Sequence, residues 1–388
     1  MDESFDVIIA GGAIMGAAAA YFLTLDPAFT GRVAVIERDP SFARASTTLS
    51  AASLRQQFSI PENIRMSLFG LDFLRTAKER FGPDTDLAWH EGGYLILASE
   101  AGRPILEANH RVQQAEGADI ALLDPAALNA TFPWLHVEDL AAGAYGRSGE
   151  GWFDAHALLA CLRTAAKAQG AHFITAEVAA IERAGDRIAG VTLTDGRRLG
   201  CGALVNAAGP WGGRLAAMAG IVLPVIGKKR CVFVVHCKTE LPKLPLLVDP
   251  SGFYIRPEGS FQICGAPPAE DPDAGDDFEV DWSVFEESIW PALAHRIPAM
   301  EELKLVRAWA GHYEMNLLDH NAVIGPHPQV GNFYFMNGFS GHGLQQAPAA
   351  GRAIAEWLVH GRSVSLDLDV FGYERIATGR PHAELNII

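Results

Sequence analysis

Apolar residues near the start of the chain come in short β-branched runs separated by a stretch at helical spacing, an alternation of strand and helix. Residues 5–10 are a short apolar run that predicts a buried parallel strand. Gly11-Gly12-Ala13-Ile14-Met15-Gly16 reads as a tight turn, and residues 17–25 continue as an Ala-rich helix. A second strand is expected over 33–36, with Glu37 at its carboxyl end and Arg38 next to it. That order sets a pyrophosphate on a helix N-terminus and a ribose against an acidic side chain. Gly11 permits the turn and Gly16 lets the helix pack close to the strand, but the middle glycine of G-x-G-x-x-G is replaced by Ala13. Dinucleotide binding is the favoured reading, and the motif leaves NAD, NADP and FAD open.

Further along, residues 61–81 predict one long helix and 92–98 a strand. Residues 102–116 predict an amphipathic helix ended by Gly117, and Asp124-Pro125 opens a short one. Asp154 caps a helix that runs to about residue 169 and stops at Gly170. Strands follow near 171–183 and 187–199, with Asp195-Gly196 as a hairpin turn. Leu204 to Trp211 repeats the strand, small-residue turn and helix order. Residues 222–313 change character: strands at 225–235, 246–256, 261–264 and 303–309 suggest a separate, mostly antiparallel sheet, interrupted by a helix over 282–295. A buried strand at 333–336 then leads through GFSGHG into a helix over 344–359. The expected fold is α/β, with a Rossmann-like nucleotide domain built from 1–84, 150–221 and 314–388. A second domain is expected from 85–149 and 222–313.

A formal charge of -15 argues against nucleic acid or an anionic membrane as partner. The five cysteines lack C-x-x-C or zinc-like spacing, which suggests reduced thiols and a cytoplasmic location. Asp2, Glu3 and Asp6 are wrong for a signal peptide, so neither that nor a transmembrane segment is expected. The 13 histidines form no motif such as H-x-x-E-H, and no metal is expected.

Four segments together resemble the flavoprotein family of D-amino-acid oxidase and dehydrogenase, glycine oxidase and sarcosine oxidase. They are GGAIMG with Glu37, ARASTTLSAASLRQQFS at 43–59, VNAAGPW at 205–211, and RAWAGHYE at 307–314 with NGFSGHGLQQAP at 337–348. The chain is more similar to sarcosine oxidase-like and FAD-dependent oxidoreductase domain proteins than to D-amino-acid oxidase. The resemblance implies FAD, held without a covalent bond because Gly311 stands where covalent relatives place a cysteine. The strand at 261–264 lacks the lysine with which those relatives speed oxygen reduction, so the electron acceptor is O2 or a quinone. The implied reaction is oxidation of the C–N bond of an amino acid or N-alkyl amino acid, by hydride transfer to flavin N5. Oxidation of a 2-hydroxy acid or polyol phosphate is an alternative, as is a non-catalytic FAD-containing assembly protein; an oligomer is also compatible.

Ser46, Thr47 and Ser50 suit pyrophosphate oxygens or form an ordinary polar loop. Arg55 faces either an anion or a structural carboxylate. The glycine-dense turn Gly338-Phe339-Ser340-Gly341-His342-Gly343 opens a helix at Leu344, and a positive helix end there favours an anionic reduced flavin. His342 makes a polar contact or only packs the turn. Tyr254 and Arg256 share a strand face and hold a substrate carboxylate or pair structurally. His312 and Tyr313 follow the Trp-Ala-Gly turn, and Tyr313 stands where glycine oxidase-like members carry a carboxylate-binding arginine. Candidate cofactor contacts are Gly11, Gly12, Ala13, Ile14, Met15, Gly16, Glu37, Arg38, Ser46, Thr47, Ser50, Arg55, Val178, Ala208, Gly209, Trp211 and the 338–344 turn. Candidate catalytic residues are Arg55, Tyr254, Arg256, His312, Tyr313 and His342.

Overall fold

The computed structural model describes residues 3–385, so the outer ends of the expected segments 1–84 and 314–388 lie outside the described residues. Two eight-stranded sheets organise the chain. In the first, Glu3–Ala10 is central and pairs in parallel with Val33–Glu37 on one side and Arg198–Asn206 on the other. His172–Thr175 extends one flank in parallel, and Phe333–Asn337 the other. Strand order therefore reverses at Gly11, and the carboxyl ends of adjacent strands diverge there into a crevice. Ile8, Ile9, Val35, Leu204 and Val205 are fully buried, as the continuous apolar runs require of strands covered on both faces.

Helix Ile14–Leu25 starts three residues earlier than its alanine run suggests, and Ala17 to Ala20 are all buried. Helix Gly343–His360 crosses it closely: a Cβ on Gly351 would stand 2.7 Å from Ala18. Small residues on both helices thus set how near the two N-termini approach the same crevice.

The second sheet runs Lys304–Asn316, Val225–His236, Phe261–Gly265, Tyr254–Glu258, Leu246–Val248, Tyr94–Ala98, Ala142–Gly146, Ile120–Leu123. It is antiparallel except where Leu246–Val248 meets Tyr94–Ala98. Several expected elements are revised. The 61–81 helix breaks at Thr76 into Pro61–Arg75 and Ala77–Phe81. The 246–256 strand is two strands, because Asp249 accepts from the Ser251 amide and Gly252 takes φ +94°. The 171–199 region holds His172–Thr175, Val178–Ala184, Arg187–Leu193 and the start of Arg198–Asn206, not two strands. The strand expected over 303–309 continues to Asn316, and the helix expected over 282–295 opens as a π turn, Val284–Ile289. Local capping signals hold well: Asp154 accepts from His156 and Ala157, and Asp124 from Ala127.

Candidate functional site: a long cleft joined to a small polar pocket

A cleft of about 350 Å³ opens at the reversal point of the first sheet. Gly11, Ala13, Ile14 and Met15 line one wall, at the start of a helix whose N-cap, Ala13, supplies no side-chain cap. The positive helix end therefore borders the cleft, with the Ile14 amide already taken by Thr47 Oγ1. Glu37 lies at the end of its strand, with Oε2 accepting from Gly12 N and Oε1 from Asp39 N, both at 2.8 Å. Arg38 lies over the Trp211 ring at 3.8 Å, and Val178, Ala208 and Gly209 continue that end of the wall. At the other end the cleft reaches His312, Tyr313, Gly341, Gly343 and Leu344. The first helix start and the GFSGHG turn, distant in sequence, thus bound one cavity.

Other expected contacts serve the cleft from behind. Gly12 is held by Glu37, and Gly16 packs so tightly that a Cβ there would sit 1.8 Å from the Gly11 carbonyl. Gly338, Phe339 and Ser340 are buried beneath the turn rather than in its wall. Ser340 Oγ donates to Gly338 O and accepts from Asn316 N. Ser46, Thr47 and Ser50 do line the cleft, but their hydroxyls have local partners. Ser46 donates to His312 O, Ser50 to Thr47 O, and Thr47 Oγ1 accepts from Ile14 N. The segment is a helical turn, Ser46–Leu49, whose polarity closes the wall instead of projecting from it.

Beside the cleft lies a second pocket of about 60 Å³, sharing Ser50, Tyr313, Gly341 and Leu344 with it. Arg55, His342 and Gln345 bring polarity to this pocket, and Tyr94, Tyr254 and Leu246 bring bulk. Arg55 is 3% exposed; its guanidinium donates to Gln57 O and lies over the Phe58 ring at 4.3 Å. Gln345 Oε1 accepts the Arg55 amide at 2.7 Å, tying the segment after Leu54 to the GFSGHG helix. His342 packs edge-on against Phe58, and its Nε2 is buried without a hydrogen-bond partner among the described residues. Burial, reinforced by the Arg55 charge, pushes the His342 pKa well below its ordinary range, so the ring is neutral at pH 7. Burial likewise raises the pKa values of Tyr94, Tyr254 and Tyr313, which stay as phenols.

Two expected substrate contacts are corrected. Arg256 lines neither cavity; its guanidinium donates to Ala51 O, Pro257 O and Glu258, so it is a structural pair. His312 lies on the cofactor side: it stacks on Phe278 at 4.0 Å and its Nε2 meets Asp277 O at 2.6 Å. The basic run Lys228-Lys229-Arg230 holds an acidic loop. Lys228 bonds Asp271 O, Lys229 pairs with Asp277, and Arg230 pairs with Asp271 through two bonds, at 2.8 and 2.9 Å.

Sequence reasoning missed two buried carboxyls. Glu314 lines the cleft and accepts from Gly338 N at 3.2 Å; burial outweighs that amide and a second from Phe339, raising its pKa to about 8. Glu150 accepts from Gln56 N and Gln57 Nε2, and burial raises its pKa to about 7. Glu314 stands directly after the quoted Trp-Ala-Gly-His-Tyr run, so proximity was a signal; Glu150 gave none.

The family model described as FAD dependent oxidoreductase matches residues 6–357. "FAD-dependent oxidoreductase domain-containing protein 1" of Xenopus laevis is 43% identical over 427 residues, covering 100% of this chain and 85% of that protein. Human mitochondrial sarcosine dehydrogenase is 26% identical over 394 residues, covering 96% of this chain and 41% of that protein. The crystal structure of L-proline dehydrogenase from P. horikoshii superposes with a TM-score of 0.87, at 24% identity, covering 98% of this chain and all of that one. The cleft at the strand reversal, its two converging helix starts and the match over most of the chain lead to one conclusion: this chain belongs to the FAD-dependent oxidoreductase family.

Proposed function

We propose that this enzyme oxidises the C–N bond of a small amino acid, with an N-alkyl amino acid of the sarcosine or imino-acid type as the preferred class. The observation that carries the reading is the 60 Å³ pocket, where Arg55, neutral His342 and three tyrosines open onto the cofactor cleft. The sarcosine dehydrogenase relative supports the same class.

The residues present fit FAD. The helix start at Ala13 to Met15 suits the pyrophosphate, Glu37 the ribose, and the Arg38–Trp211 end the adenine. Tyr313, Gly341 and Leu344 would border the flavin end, where the two cavities meet. A Cβ on Gly341 would lie 2.6 Å from the Tyr313 ring, so only glycine lets that ring pack against the turn at the boundary. None of the five cysteines lines either cavity, which supports non-covalent binding. When bound, FAD supplies a two-electron acceptor for hydride from the carbon beside nitrogen, leaving an imine that water hydrolyses.

The chain's own residues then have separable tasks. Arg55 pairs with the substrate carboxylate and fixes its orientation. Tyr94, Tyr254 and Leu246 exclude water and limit side-chain size. No carboxylate lines this pocket, so the amine reacts as the free base. His342, kept neutral by burial and the Arg55 charge, has an unpartnered Nε2 that can exchange a hydrogen bond with a bound group without becoming charged.

The test is anaerobic mixing of the FAD-loaded protein with panels of amino acids, N-methyl amino acids, 2-hydroxy acids and polyol phosphates. Bleaching of the flavin band by the amine panels is expected. Bleaching by hydroxy acids or polyol phosphates alone would replace the reading, and no bleaching with a co-purifying partner would favour an assembly role. Reoxidation in air against a quinone then assigns the acceptor, for which we propose a quinone, since Phe261–Gly265 offers no lysine.

A further inference from the structure

In the loop and helix that cover the second sheet, outside the cleft lining, His136, Asp139 and His295 bring three ligand-type atoms within 4.8 Å of one another. We propose that this cluster is a site for a transition-metal dication of the zinc class, joining the 134–139 loop to the end of helix Trp290–Arg296.

Geometry supports the assignment first. His136 Nδ1 stands 3.8 Å from Asp139 Oδ1, and His295 Nε2 stands 3.2 Å from Asp139 Oδ2. Ligands on a tetrahedral zinc with bonds of about 2.0–2.1 Å are about 3.3 Å apart, so small side-chain movements suffice. His136 Nδ1 is also buried and lacks a hydrogen-bond partner among the described residues. Its other nitrogen, Nε2, lies 3.7 Å from Glu138 Oε2. A shortening of that separation to hydrogen-bond distance would let Glu138 orient the ring from behind.

Charge supports it independently. Arg296 is the cation at the centre of the cluster: it donates to Asp249 Oδ2 at 2.5 Å and to both oxygens of Asp139, at 2.7 and 2.9 Å. One guanidinium thus faces two carboxylates, Asp249 and Asp139, which leaves one negative charge in excess before the histidines are counted. Each Asp139 oxygen retains a second lone pair. The backbone is already set, since His136 N donates to Arg296 O and Arg296 returns a bond to His136 O. His295 is half exposed, which provides an entry path. Two imidazoles with a carboxylate select zinc, cobalt or nickel over magnesium or calcium.

The site would act as a clamp. Leu135 on the loop and Leu293 and Ile297 on the helix side are all buried in one apolar cluster under the sheet. A metal on the rim would hold these two covering segments together without touching the FAD cleft.

The test uses the full-length, FAD-loaded protein, stripped with a chelator and dialysed, then titrated with Zn2+ or Co2+ in parallel with Mg2+. One equivalent of zinc is expected to bind, with Co2+ giving the visible bands of a four-coordinate ion and Mg2+ giving no response. His295→Ala, at a half-exposed position, and His136→Ala are each expected to weaken zinc at least about ten-fold. Zinc should raise the thermal midpoint of the wild type but not of His295→Ala. Wild-type protein that binds no zinc would overturn the proposal, and so would undiminished binding by His295→Ala.

Discussion

At single residues the cleft distinguishes tolerated from forbidden methyl groups. Ala13, which breaks the glycine fingerprint, has φ -72° and sits at the helix cap in extended backbone, so its methyl group costs no backbone strain. Gly11 has φ +107°, and a Cβ there would be 2.2 Å from Ala207 O. Ala13→Gly should therefore bind FAD at least as tightly as wild type, whereas Gly11→Ala should lose FAD in the same apoprotein titration. Weaker binding by Ala13→Gly would show that the turn approaches the cofactor differently. Glu314 makes a pH prediction. Its folded pKa of about 8 lies above the ordinary carboxyl value, so the folded state binds more protons than the unfolded state between the two. Its contribution is full below about pH 4.5 and lost as pH rises through 8. In urea unfolding of the apoprotein, wild type should therefore lose ground to Glu314→Gln between about pH 5 and 8. A gap that does not change with pH would contradict this.

Among elements, the crossing of Ile14–Leu25 with Gly343–His360 decides whether both helix starts reach the cleft. Gly351→Val would drive side-chain atoms into Ala18 and Ala19, overpacking the contact by about 1–3 kcal/mol. Lower urea stability with weakened FAD binding is expected; an unchanged FAD affinity would show that the crossing does not position the cleft. The strands and helices were legible wherever the signal was local, as at Asp154, Asp124 and the Gly11–Gly16 turn. Boundaries set by longer-range packing were not. Lys304–Asn316 runs seven residues past its expected end because its pairing with Val225–His236 continues to Val225. The cleft lining was largely readable, because its residues sit at strand ends and helix starts. The small pocket was only partly so: Arg55, Tyr254, Tyr313 and His342 had been marked, but Tyr94, Leu246 and Gln345 converge from strands and a helix far apart in sequence. Arg256 shows the converse failure, since sharing a strand face with Tyr254 says nothing about Glu258 and Ala51 nearby.

For the whole molecule, the account rests on the two cavities being one active centre, with the first sheet holding FAD and the second presenting substrate. We propose the division into 1–84, 150–221 and 314–388 against 85–149 and 222–313 on the same ground. Tyr313 and Gly341 stand at the boundary, and Arg55 sits on the pocket side of it. Among the described residues no helix is long and apolar enough to cross a membrane. The decisive measurement is stopped-flow reduction of bound FAD by the best amine substrate, compared between wild type and Arg55→Gln under anaerobic conditions. Loss of a charge-assisted contact should weaken substrate binding by about ten- to a hundred-fold while the flavin spectrum before mixing stays the same. Unchanged substrate binding and reduction rate in Arg55→Gln would place the substrate elsewhere and contradict the account.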